Sequence, residues 1–237
     1  MGPHTVYRSR RMAARQSTPG TEWPATAADL VARQVELAAA RPPRWRPPPA
    51  YAVGGCFVCF PRGASGRGAR GDRGWAAEAC GSVAVVDGHA EAPYVPGLLA
   101  LREGPLLAAA VRALPAPPEV LLVDATGRDH PRRAGLATLL GALLDLPTVG
   151  VTHRPLVAAG AWPPSRRGAA AALTIGGKTV GCWLRVRDGV RPLAVHPAWR
   201  TELADAITVV LASTGRARTP EPVRAARTAA RRARARR

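Results

Sequence analysis

Residues 119–124 read Glu-Val-Leu-Leu-Val-Asp (EVLLVD). Four apolar residues without alternation, closed by an acid, describe a short strand buried on both faces, as in a parallel sheet. Residues 134–144, rich in Leu and Ala, follow as a helix, and 148–151 (TVGV) as a second short buried strand. Strands alternating with helices in the centre of the chain predict an α/β fold with a mixed sheet.

Working outward, 98–113 reads as a helix, with Pro105 at the start of its main part, where a missing N–H is tolerated. Residues 75–88 suggest one strand or a hairpin about Gly81-Ser82, and 51–60 (YAVGGCFVCF) a strand with an internal Gly pair. Residues 26–40 are an amphipathic helix opened by Thr26 and Asp29 in a capping box. The run 41–50 (RPPRWRPPPA) is a stiff linker, and 61–74 a flexible loop. Downstream, 173–187 and 191–195 give strands split by a turn at Asp188-Gly189, and 201–212 a last helix. The expected organisation is one domain over 23–215, a disordered segment 1–22, and an Arg-rich tail 216–237 that is disordered by itself.

The 237 residues carry 34 basic and 16 acidic side chains, a formal charge of +18. An excess of this size points to a polyanionic partner, most often nucleic acid. The tail and the first 50 residues hold most of it, whereas 51–150 is balanced between Arg and acids. The four cysteines, with a lone C-x-x-C at Cys56 and Cys59, match neither a disulfide scaffold nor a zinc site and read as reduced structural thiols. Neither a signal peptide nor an apolar run long enough for a membrane span is visible, so a cytoplasmic protein without membrane association is expected.

In open α/β sheets reactive groups gather beyond the carboxyl ends of the strands, where Asp124 is expected. With Glu103 and His130 it suggests a metal-assisted phosphodiester site: carboxylate oxygens suit Mg²⁺, and a histidine can move protons. Each residue also has a plainer reading. Asp124 would serve as a cap or turn residue, Glu103 as a helix-start acid, and His130 as a turn residue before Pro131.

The stretches YVPGLLALREGPLLAAAVRAL and PEVLLVDATGRDHPRRAGLATLLGALLDLPTVGV decide between them by resemblance. With Trp23-Pro24, Gln34, Val180-Gly181-Cys182 and Pro220-Glu221-Pro222-Val223-Arg224, they closely resemble the endonuclease V family over residues 23–226. The resemblance implies a ribonuclease H-like fold. It also implies Mg²⁺-dependent cleavage, with Mn²⁺ as a substitute, near deoxyinosine in DNA or inosine in RNA. Glu103 and Asp124 match metal-binding carboxylates, and His130 a catalytic histidine. Pro93, Tyr94, Val95 and Pro96 match a strand-separating wedge, and Gly127 a glycine that lets a flipped base approach. Three family positions are substituted: Cys56 stands for a first-strand aspartate, His153 for a lysine and Trp199 for a late histidine. Two functions follow as expectations: a DNA repair endonuclease, or a homologue that binds deaminated nucleic acid with little or no cutting. A monomer is expected.

Overall fold

The computed structural model describes residues 5–7, 22–61 and 69–236. Among the described residues nine strands form one mixed sheet in the order β1-β4-β3-β2-β5-β6-β9-β8-β7. Its centre is parallel: β2 (Val53–Cys59), β5 (Val120–Val123) and β6 (Thr148–Thr152) run the same way. On one side β3 (Arg73–Cys80) and β4 (Ser82–His89) continue β2 as an antiparallel meander that turns at Gly81 with φ 67°. On the other, β9 (Leu193–Pro197), β8 (Lys178–Leu184) and β7 (Ala170–Ile175) extend the sheet antiparallel to β6. The expected turn at Asp188-Gly189 precedes β9, while β7 and β8 are joined at Gly176-Gly177, both at positive φ. The paired left-handed residues are what a tight hairpin requires.

Side chains of β5 alternate between two cores, as successive strand residues must. Leu121 and Val123 pack with α1 (Ala27–Ala39), α2 (Leu99–Arg112) and α3 (Leu136–Leu144), whereas Val120 and Leu122 face the layer of α4 (Leu203–Ala212). Thr26 caps α1 through the reciprocal bonds with Asp29 that the sequence predicts. Trp23 lies across α2, donating to the Ala100 carbonyl at 2.9 Å. Gly104 admits it, since a Cβ there would sit 1.6 Å from the indole ring. The linker docks through Arg44, bidentate to Asp205 in the first turn of α4.

Three expectations are corrected. The tail is not disordered: Glu221–Ala235 form α5, whose Val223, Ala226, Ala230 and Ala233 are buried against β2 and β3. An apolar stripe at helical spacing stabilises a helix only where a surface receives it, and Gly55 makes that surface. A Cβ at Gly55 would lie 2.3 Å from the Pro222 and Val223 backbone. Second, Pro105 falls inside α2 rather than at its start. Third, Thr5–Tyr7 of the segment expected to be disordered form β1, parallel to β4. The remainder of 1–21, and 62–68 of the expected loop, lie outside the described residues.

Candidate active site

The parallel register sets Cys56 beside Val123, one residue before Asp124 at the end of β5. Glu103, in the second turn of α2, lies within electrostatic reach of both Cys56 and Asp124. Burial, reinforced by the Asp124 charge, pushes the Glu103 carboxyl up to about 8. Burial and the surrounding carboxylates hold the Cys56 thiol well above its ordinary value, so it stays protonated. The structure thus brings together the two expected site acids and the substituted first-strand position.

A third acid, overlooked in the sequence, belongs to the same cluster. Glu78 is the direct cross-strand partner of Cys56 on β3 and is fully buried. Neither carboxyl oxygen has a well-formed hydrogen bond among the described residues, and burial pushes the group up to about 8. The sole signal in the sequence is an acid amid an apolar strand, Trp75-Ala76-Ala77-Glu78-Ala79-Cys80.

Asp124 is engaged from the opposite layer. Arg227 of α5 donates from Nη2 to Asp124 Oδ2 at 2.9 Å, and its guanidinium lies 5.1 Å from the Phe57 ring centroid. His153, just past β6, is in reach of Asp124, Arg218 and Arg227. Partial burial and the two arginines lower its pKa despite Asp124. Replacing a lysine's charge would require the opposite shift. His153 is therefore neutral near pH 7.

His130 makes no hydrogen bond to these acids among the described residues. Its Nε2 faces the Gly97 carbonyl at 3.2 Å, and its Nδ1 accepts from the Arg132 N–H at 3.2 Å. That pattern fixes the neutral Nε2–H tautomer, and burial with the Arg132 charge lowers its pKa in the same sense. Arg132 adds a bond to Gly97 O at 2.7 Å and one to Gln34 at 2.6 Å. The base of loop 93–97 is thus tied to α1 and to the loop after β5. Its tip is free: Pro93, Tyr94, Val95 and Pro96 are all exposed, Tyr94 by 53%.

Known proteins match this chain in sequence and in fold. The sequence model described as Endonuclease V matches residues 76–228. The chain belongs to the Endonuclease V family. Endonuclease V of Streptomyces avermitilis is 45% identical over 150 residues, 63% of this chain and 66% of that protein. Endonuclease V of Thermus thermophilus is 45% identical over 147 residues, 61% and 65% of the two chains. These matches span just under two thirds of the curated relatives. The crystal structure of the S. avermitilis protein superposes with a TM-score of 0.79 at 37% identity, covering 90% of this chain and 95% of that one. The catalytic domain of human Endonuclease V gives 0.77 at 29%, covering 88% and 96%. The fold is therefore the ribonuclease H-like one expected. Ciona intestinalis Endonuclease V, in complex with a 24mer DNA containing an inosine followed by a ribo-adenosine, shares it at 0.72 and 18%, covering 88% and 97%.

One of the positions that the resemblance singles out lies away from the acids. Trp199 is far from the acids, at the opposite end of β6, where its carbonyl accepts from Thr148 N and its Cβ packs on Gly141. Gly127 is held by packing, since a Cβ would lie 2.5 Å from the Pro197 carbonyl. Elsewhere, Asp72 is paired with Arg102 and Asp87 with Arg73. Cys56 and Cys59 face opposite sides of the sheet, and all four cysteines are free. Asp129, also overlooked, is buried and accepts three backbone N–H groups of Leu156, Val157 and Ala158, fixing the chain beyond β6.

The donors do not fit a resident divalent ion. Mg²⁺ and Mn²⁺ require hard, negatively charged oxygens. Asp124 is paired with Arg227 at 2.9 Å, and Cys56 offers a thiol where a carboxylate oxygen would be needed. Among the described residues no group of three or more His, Cys, Asp and Glu is placed to hold a metal ion.

Proposed function

We propose that this Endonuclease V-family protein recognises deaminated adenine in nucleic acid, as deoxyinosine in DNA or inosine in RNA. The observation that carries this is the exposed loop 93–97 on a base clamped by His130 and Arg132. A rigidly held tip carrying Tyr94 can enter a duplex beside a lesion while the flanking arginines meet phosphates. A flipped base would then lie near the carboxyl ends of β5 and β6.

Two outcomes are open to a strand bound there. Phosphodiester hydrolysis, the activity in the family's name, is supported by the adjacency of Glu103 and Asp124. Recognition with little or no cutting is supported by Cys56, by the neutral His153 and by the Arg227–Asp124 pair. The second is the reading we favour. Cys56 supplies no carboxylate and Asp124 is already paired with Arg227, which leaves a hydrolytic metal centre short of anionic donors. The neutral His153 leaves the phosphate without the lysine's charge.

The test is a duplex with one deoxyinosine, incubated with the protein in Mg²⁺, Mn²⁺ or EDTA, with binding and nicking both scored. Preferential binding of the inosine duplex over its matched control in EDTA, without nicking, supports recognition. Metal-dependent nicking establishes the nuclease. Equal affinity for both duplexes overturns the proposal. Tyr94→Ala is expected to weaken binding to the inosine duplex at least fivefold more than to the matched one.

A further inference from the structure

We propose that Arg227 is the permanent cation of the acidic centre, standing where a divalent ion would otherwise be held, so that this site takes up no metal. The inference is independent of which base the protein recognises. It rests first on the 2.9 Å pair between Arg227 and Asp124, the acid at the carboxyl end of the central strand. Both side chains are largely covered, at 20% and 25% exposure, which reduces the screening an exposed pair would suffer.

The pairing is built into the fold. Arg227 lies one position beyond buried Ala226, on a helix whose Val223, Ala226, Ala230 and Ala233 are packed on the sheet. Gly55, the residue before Cys56, lets the first turn of that helix touch β2. Phe57, the residue after Cys56, offers its ring to Arg227 at 5.1 Å and to Arg231 at 5.7 Å. Three consecutive residues of β2 thus provide helix contact, a neutral side chain in place of a charge, and an aromatic face for the guanidinium. Moving Arg227 aside would require shifting α5 or swinging the arginine away from both partners.

The charge arrangement agrees. A divalent ion needs anionic oxygens free to bind it, and here Asp124 is already met by the Arg227 guanidinium at 2.9 Å while the neighbouring strand offers a thiol at Cys56. A guanidinium presents several N–H groups, so it retains donors for a phosphate oxygen while bound to Asp124. A nucleic-acid phosphate at this centre would meet a fixed cation, which makes binding independent of metal.

The experiment is a Mn²⁺ titration of the full chain, reading the free ion by electron paramagnetic resonance and stability by thermal unfolding. Wild-type protein is expected to take up less than 0.1 equivalent at 0.5 mM Mn²⁺ (roughly the level needed to see a hard-cation carboxylate site), with no Tm shift. The Cys56→Asp/Arg227→Gln double variant is expected to bind one equivalent at least tenfold more tightly than wild type, with a rise in Tm. Uptake of one equivalent by wild type that Asp124→Asn abolishes overturns the proposal. A folded double variant that still takes up none overturns it as well. If the double variant does not fold, the wild-type titration with its Asp124→Asn control decides the matter.

Discussion

At Cys56 the strand places a thiol where a carboxylate would have Glu78 as its cross-strand partner and the Glu103 and Asp124 charges close by. Cys56→Asp alone therefore adds an acid to a buried cluster with one opposing cation. It should cost more than about 2 kcal/mol, the penalty for a buried charged group without its full complement of partners. Thermal unfolding at pH 7.5 would register the loss, and a Tm equal to that of wild type would argue that the carboxylate reaches solvent. Glu78 makes a separate prediction. Its carboxyl is pushed up to about 8 in the fold, above its ordinary value, so the folded chain keeps a proton that the unfolded chain releases from about pH 4.5 upward. Stability then falls as pH rises through that window, by up to about 1.4 kcal/mol per unit, and levels off above it. Glu78→Gln should make the fall of Tm between pH 5 and 8 less steep, leaving the share of the slope that the buried Glu103 carboxyl contributes, and raise Tm at pH 8. An unchanged slope would assign the titration to another group. His130, with both ring nitrogens bonded to backbone, should act through loop 93–97. His130→Ala is expected to cost about 1–3 kcal/mol and to speed hydrogen exchange at 97–98 more than in β5.

Among the elements, α5 changes most between sequence and structure. Its stripe is Val223, Ala226, Ala230 and Ala233, at helical spacing but made almost wholly of alanine between arginines. Composition alone reads such a stretch as a solvated basic tail, because alanine contributes little burial and gives no strong apolar signal. What receives it is equally small, with Ala77 and Ala79 on β3 and Gly55 on β2 letting helix and sheet approach closely. Ala226→Asp should therefore destabilise the protein by more than about 3 kcal/mol, as for a charge forced into a packed interface. Removing 225–237 should broaden or abolish cooperative unfolding, measured by circular dichroism. A truncation that unfolds like the full chain would show that α5 is dispensable. The strand 120–123, by contrast, was legible from four apolar residues and a closing acid, since burial on both faces leaves that mark whatever surrounds it.

For the molecule as a whole, the charge of +18 is divided between arginines that build and arginines that remain outside. Arg44, Arg102, Arg132 and Arg227 hold partners inside the fold, whereas Arg231, Arg232 and Arg236 are exposed along α5. Replacing Arg232 and Arg236 with Ser should leave stability within about 0.5 kcal/mol of wild type, as for surface changes. It should also lower the log–log salt slope of DNA binding by about one for each phosphate that an arginine no longer neutralises. An unchanged slope would place the phosphates on another face. The sequence by itself determined the α/β class, the parallel centre and the capped entry helix. These depend on local periodicity and on residue types that the motifs fix. It did not determine that Glu78 lies beside Cys56, that the His130 ring bonds the Gly97 carbonyl at the base of a loop, or that Trp199 lies at the far end of β6. Nor could it show that Arg227, 103 residues beyond Asp124, closes on that acid. Strand register and helix docking decided those pairings, because contacts between distant segments follow from how packed surfaces meet and leave no mark on the spacing within either one.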